Sequence, residues 1–170
     1  MLDRSARLLR AALASSLIVV SLPATIAAAT EATAQQPIGQ NDLGTVLNIA
    51  KGYGDAELTK TESGDPVITG TINGTAYQLF FLECKDHRDC GVLDFYSIWN
   101  EPDVPLELVN RFNGMRPFNK AYLTEDGFPV VELNVSSIGL TQARLSDIFD
   151  RWTITLAEFP REVLDAAAAQ

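Results

Sequence analysis

Residues 66–82 read PVITGTINGTAYQLFFL, and this stretch decides the fold. Asn73-Gly74 is a two-residue hairpin signal, because both central positions of the turn want positive φ. It predicts a strand over 67–72 and its antiparallel partner over 75–83. Pro66 opens the first of these, where a missing N–H does least harm. Leu79-Phe80-Phe81-Leu82 is apolar at consecutive positions, so it presents apolar side chains to both faces of a sheet. That pattern predicts a central strand covered, at least in part, on both sides.

Working outward, Ser63-Gly64-Asp65-Pro66 is a turn cluster and 56–62 a weakly apolar strand before it. Further upstream, Leu43, Val46, Leu47 and Ala50 stand at i, i+3, i+4 and i+7. They make one helical stripe, capped by Asn41 or Asp42 and ended by Gly52-Tyr53-Gly54. Downstream, 92–99 is a fourth strand carrying Phe95, Tyr96 and Trp99. A second helix follows Pro102-Asp103-Val104-Pro105, with Asp103 as cap and Pro105 in the first turn. Its shared face is Pro105, Leu108, Val109 and Phe112, and Asn113-Gly114 stops it.

Residues 118–124 and 129–135 are the next strands, with Val131, Leu133 and Val135 on one face and Val130, Glu132 and Asn134 on the other. Thr141 is an N-cap, and Leu140 with Leu145 forms a hydrophobic staple. Leu145, Ile148, Phe149, Trp152, Leu156 and Phe159 then mark the stripe of a last helix, which Pro160 kinks or ends. The order α-β-β-β-β-α-β-β-α predicts an α+β domain, an antiparallel sheet of five to six strands with packing helices. Two segments, 59–68 and 122–131, echo one another: each has an acidic-Gly turn and a Pro before β-branched residues. A repeated turn solution accounts for the echo as well as duplication does.

Composition removes functions. The chain has 170 residues, 13 Lys+Arg, 22 Asp+Glu and one His, with formal net charge −9. The acidic balance argues against nucleic acid, whose phosphates need clustered Lys/Arg. One His excludes a site built from several His ligands. Residues 1–34 read as an address: Arg4, Arg7 and Arg10, an apolar run from Ala11 to Ala29, and small-residue exits after Ala29 or Ala34. Those are the parts of a cleaved secretory signal peptide. The alternative is a retained anchor, weakened by Ser15, Ser16, Ser21 and Pro23 in the run. Removing 1–34 takes three of the 13 basic and two of the 22 acidic residues, leaving about −10. The expected organisation is a linker over 35–41, a domain over 42–160 and a tail over 161–170. Periplasmic or secreted localisation follows, without stable membrane insertion after cleavage.

The ordered motifs resemble the YbjN-type domain, a family described as putative bacterial sensory transduction regulators. The resemblance rests on Gly52-Tyr53-Gly54-Asp55-Ala56-Glu57-Leu58, Gly64-Asp65-Pro66-Val67-Ile68, Gly74-Thr75-Ala76-Tyr77 and the pair Cys84 and Cys90. It is closest at Asn110-Arg111-Phe112-Asn113-Gly114-Met115-Arg116-Pro117-Phe118-Asn119-Lys120-Ala121-Tyr122-Leu123, followed by Asp126-Gly127. It covers about residues 42–160, and the order of the motifs carries it. The family pattern has Trp where Phe112 stands and Gly where Asn119 stands. The family is similar in element order to small secretion chaperones, which bind protein clients. The resemblance thus implies a domain that binds a protein or peptide, with no catalytic group.

Cys84-Lys85-Asp86-His87-Arg88-Asp89-Cys90 is the sharpest local feature. Its plainer reading is a disulfide clamping a hairpin loop in an exported chain, worth about 2–2.5 kcal/mol by loop entropy. The alternatives are a metal site, with all ligands on one short loop, or a redox pair without the compact C-x-x-C spacing. His87 reads as an exposed loop residue. Asp147 and Arg151 are i, i+4 partners on a solvated face, and no carboxylate spacing singles out a general acid and base. Ser136-Ser137 and Ser146 lack a nucleophile elbow, and no phosphate loop or cofactor motif occurs.

Asn110, Asn113, Arg116 and Lys120 form a polar run beside Phe118 and Tyr122. It reads either as helix capping plus a strand edge or as a partner-contact surface. Trp99 and Trp152 belong to the core or its border. The resulting expectation is an exported, non-enzymatic module that binds a protein or peptide and uses no cofactor. A small periplasmic acid/base enzyme and a stress-related structural protein are the alternatives. The oligomeric state, a homodimer included, stays open.

Overall fold

The computed structural model describes residues 35–101 and 103–169. Residues 1–34, where the sequence predicts a signal peptide, and Pro102 of the second helix start lie outside them. The described elements are α1 (Leu43–Lys51), β1 (Asp55–Lys60), β2 (Pro66–Ile72), β3 (Thr75–Leu82), β4 (Val92–Ile98), α2 (Leu106–Met115), β5 (Lys120–Leu123), β6 (Pro129–Ser136) and α3 (Gln142–Phe159). A π-helical turn, Pro160–Leu164, and a short α4, Asp165–Ala168, continue α3. The fold is α+β, with the expected order through α3.

The sheet has six strands in the order β1-β2-β3-β4-β6-β5, and every pairing is antiparallel. Asn73 and Gly74 take φ of 51° and 84°, as the β2–β3 turn requires. The register Ile68↔Leu79↔Phe95↔Leu133 sets a row of apolar side chains on one face, all buried. Helix α3 lies over this row. Phe149 meets Phe95 edge-on at 5.0 Å and Trp152 lies 5.7 Å from Phe95. Phe159 stacks on Trp99 at 4.8 Å and meets Phe112 of α2 at 5.0 Å. The six apolar residues of the α3 stripe are all buried, as is the Leu140–Leu145 staple. Thr141 caps the helix by accepting from the Arg144 N–H at 3.2 Å. Asp42 is the α1 cap: its carboxylate accepts from the Thr45 hydroxyl at 2.6 Å and from the Thr45 N–H at 3.0 Å, and these bonds lower its pKa.

The opposite sheet face is covered in part, as the sequence predicts: Val67, Asp94, Val130 and Glu132 are buried there. Phe80 is half-buried and Leu82 is exposed, so β3 is central, fully covered on one side and partly on the other.

The echoing hairpins sit at opposite edges of the sheet and share one turn geometry. Thr61 N donates to Asp65 O and Gly64 N to Thr61 O; Thr124 N donates to Phe128 O and Gly127 N to Thr124 O. In each, the threonine hydroxyl accepts from the residue four further on, Asp65 N at 3.1 Å and Phe128 N at 3.0 Å. Gly64 and Gly127 supply the positive φ. The same local chemistry explains the echo.

Four boundaries shift. Asp103 does not cap α2: it lies in the left-handed region at φ 73°, and Pro105 is the N-cap with no side-chain bond. Pro160 does not end the helical path. A proline removes one i→i−4 bond and crowds the preceding turn, and the wider π turn absorbs both. Val163 and Leu164 then bury in the core, so 161–164 is not a tail. Residues 37–41 are also tied down. Pro37 bridges to Thr141, Ile38 N donates to Leu140 O at 2.6 Å, and Ile38 is buried.

Candidate functional site

The residues expected to form one partner surface are divided by the structure among three tasks. Asn113 is structural. Its amide donates to Ala121 O at 2.9 Å and accepts from Ala121 N at 2.8 Å, which ties the end of α2 to edge strand β5. Asn110 is exposed on α2. Lys120 and Tyr122 alternate onto the sheet face opposite α3. Arg116 and Phe118 line a groove.

That groove, of about 200 Å³, runs between the α2–β5 connection and α3. Its apolar wall is Met115, Phe118 and Ile154, exposed by 50%, 62% and 56%. They are three of the seven large apolar side chains that the described residues expose. They converge because β5 starts only at Lys120, so 116–119 must loop outward, and because Ile154 lies on the α3 face turned away from the sheet. The floor is polar but satisfied. Asn119 Nδ2 donates to Thr155 Oγ1 at 2.8 Å, and Thr155 Oγ1 donates to Arg151 O at 3.0 Å.

Charges at the rim are already paired. Arg116 Nη2 reaches Glu158 at 2.8 Å and Glu162 at 2.7 Å, clamping the connection to the π turn. Arg151 pairs with Asp147 at 3.0 Å and lies 4.9 Å from the Phe118 ring centre. Ile154, Asn119 and Thr155 were not foreseen as site residues. Ile154 interrupting the polar face of a helix was the signal available in the sequence.

A second constellation occupies the sheet face opposite α3. The register sets Tyr96 opposite Glu132 and Glu132 opposite Lys120. Glu132 is buried; it accepts a short hydrogen bond from the Tyr122 hydroxyl and pairs with Lys120. Burial first, then Glu132, pushes the pKa of Tyr122 upward. Asp94, also buried, has its carboxyl pushed up to about 6 by desolvation, then by Glu132, with Lys120 opposing. Neither carboxylate had been singled out, since only strand register reveals that residues 38 positions apart share a face.

Cys84 and Cys90 are joined by a disulfide, so neither is a thiolate available to metal. Their loop holds Glu83, Asp86, His87 and Asp89 at positive φ. His87 is exposed but pairs with Asp65 at 2.8 Å, which links the loop to the β1–β2 turn. Asn41 and Asp89 exchange two hydrogen bonds of 2.7 and 2.8 Å, binding the loop to the segment before α1. Among the described residues no cluster of three His, Cys, Asp or Glu could hold a metal, and no helix is long and apolar enough to cross a membrane.

No curated protein matches the chain. A family model does: YbjN, described as "Putative bacterial sensory transduction regulator", aligns with residues 43–165. The match runs from the first residue of α1 into α4 and takes in the groove, the sheet-face cluster and the disulfide loop; the chain belongs to the YbjN family.

Proposed function

We propose that the chain is an exported, non-enzymatic YbjN domain that holds a short, uncharged apolar segment of a partner protein in the groove beside α3. The observation that carries this is the convergence of Met115, Phe118 and Ile154, each at least half exposed, on one concavity. Exposed apolar side chains gathered in one place favour an interaction site over scattered surface. The occupant's chemistry follows from size and charge. At about 200 Å³ the groove is smaller than the ~300 Å³ at which small-molecule sites begin, and it suits one or two side chains. Arg116 and Arg151 are each engaged by carboxylates, so the rim offers no free charge to a charged ligand. Met115 adds an adaptable wall, which suits a site for varied apolar residues. Export is supported by the basic start, apolar run and small-residue exit of 1–34, and by the Cys84–Cys90 bridge.

The test is an NMR titration of the full chain with a neutral, blocked hexapeptide, Gly-Gln-Leu-Phe-Gln-Gly. A second peptide with Ser-Ser at the centre is the comparison. Saturable shifts confined to 115–119 and 151–158, lost with the Ser-Ser peptide and with Ile154→Asp, are expected. Equal shifts from both peptides, or shifts that persist in Ile154→Asp, would overturn the reading.

A further inference from the structure

We propose that the sheet face opposite α3 carries a cation-recognition site centred on Asp94, which takes an ammonium or guanidinium group. Asp94 is only 8% exposed, and its Oδ1 makes no hydrogen bond among the described residues. Buried carboxylates are ordinarily paired or hydrogen-bonded, because an isolated one loses its hydration without replacement. The neighbouring groups do not supply the missing partner. Tyr122 and Lys120, the obvious donors, are both engaged by Glu132. Two buried carboxylates and one ammonium leave the cluster one positive charge short.

The neighbouring side chains favour one class of cation. The register puts Phe80 of β3 directly across from Asp94 on one side and Asn134 of β6 on the other. Tyr96 stands two residues along β4, and its ring meets Phe80 edge-on at 5.8 Å. A carboxylate beside two aromatic rings is the chemistry that receives an organic cation, since ring faces add attraction to the charge pair. A metal ion is poorly served, because two carboxylates, one already engaged, fall short of the oxygen ligands that hard cations need. An anion would be repelled.

The groups facing Asp94 are Glu132 from β6, Lys120 and Tyr122 from β5, Tyr96 from β4, and the uncharged Phe80 and Gln78 from β3. Burial, aided by Glu132, places the Asp94 carboxyl at about 6. It is therefore ionised at pH 7.5 and mostly protonated at pH 5, and recognition of a cation weakens on acidification.

Calorimetric titration of the full chain tests this with putrescine and Nα-acetyl-arginine amide as free cations. A blocked Gly-Lys-Gly tripeptide represents a side chain on a polypeptide. Saturable binding with one site is expected, about tenfold weaker at pH 5 than at pH 7.5 from the ionised fraction alone. Asp94→Asn should weaken it at least tenfold, whereas Glu107→Gln, an exposed carboxylate on α2, should not change it. Tighter binding of the free cations would assign the site to small amines; tighter binding of the tripeptide would assign it to basic side chains. The proposal is overturned if no probe binds saturably, if Asp94→Asn binds as well as the parent chain, or if the affinity does not change between the two pH values. The last criterion needs no variant.

Discussion

Asp94→Asn is expected to stabilise the protein at neutral pH, the reverse of the usual effect of changing a buried residue. Asn keeps the shape of the side chain and removes the charge. Burial and the nearby Glu132 carboxylate raise the Asp94 carboxyl from 3.8 to about 6 in the folded chain. An acid raised in this way contributes stability that is fully present below 3.8 and is lost as the pH rises through about 6. A gap of roughly two pH units corresponds to at most about 3 kcal/mol, and screening by nearby water brings this to about 1–2 kcal/mol. In a body of this size that is a rise of roughly 3–8 °C in Tm. Urea unfolding of both chains at pH 7.5, 6, 5 and 4 measures it. The advantage of Asp94→Asn should be largest at pH 7.5, shrink below pH 6 and be nearly gone at pH 4. A variant less stable than its parent at pH 7.5, or a difference independent of pH, would refute the reasoning. Either result would mean that the ionised carboxylate has a compensating partner in the folded chain.

Gly54→Ala should destabilise the fold by about 3 kcal/mol or more, because an added Cβ would lie 2.0 Å from Thr71 O, a backbone atom of β2 that cannot move aside cheaply; a denaturation midpoint within error of the parent would contradict this close approach. Reducing Cys84–Cys90 should cost about 2–2.5 kcal/mol, read as a lower urea midpoint in dithiothreitol. Asn113→Ala should cost about 1–3 kcal/mol, since it leaves both the N–H and the C=O of Ala121 without their partner. Faster amide exchange at Ala121 with little change at β2 would locate that loss at the β5 edge.

Much of the architecture was legible because it is local. Asn73-Gly74 specifies a hairpin whatever surrounds it, and the Thr-x-x-Gly turns at 61–64 and 124–127 repeat one hydrogen-bond pattern at two distant places. The α3 stripe, its Thr141 cap and its staple are set by spacings of three and four residues, and all of them appear in the core. Where the structure departs from these local signals, backbone conformation or packing decides instead. Asp103 has the chemistry of a cap but lies two residues before the N-cap, Pro105, in the left-handed region. Pro160 has the chemistry of a stop. Burial of Val163 and Leu164 holds the chain helical beyond it through a π turn. Ile38 converts an apparently loose approach into a segment packed at the start of α3.

The candidate sites divide in the same way. Arg116 and Phe118 were legible because they sit in one run of chain, but that run also held Asn113, which serves the backbone, and Lys120 and Tyr122, which face elsewhere. By itself, then, the sequence determined the elements through α3, their order, the sheet's hairpins and the membership of the chain in its family. Only the tertiary structure decided which side chains meet: Ile154 with Met115 and Phe118, and Asp94 with Glu132. The physical reason is range. Turns, caps and stripes are written in neighbouring residues, whereas a groove wall or an unpaired buried charge depends on which strands and helices lie side by side.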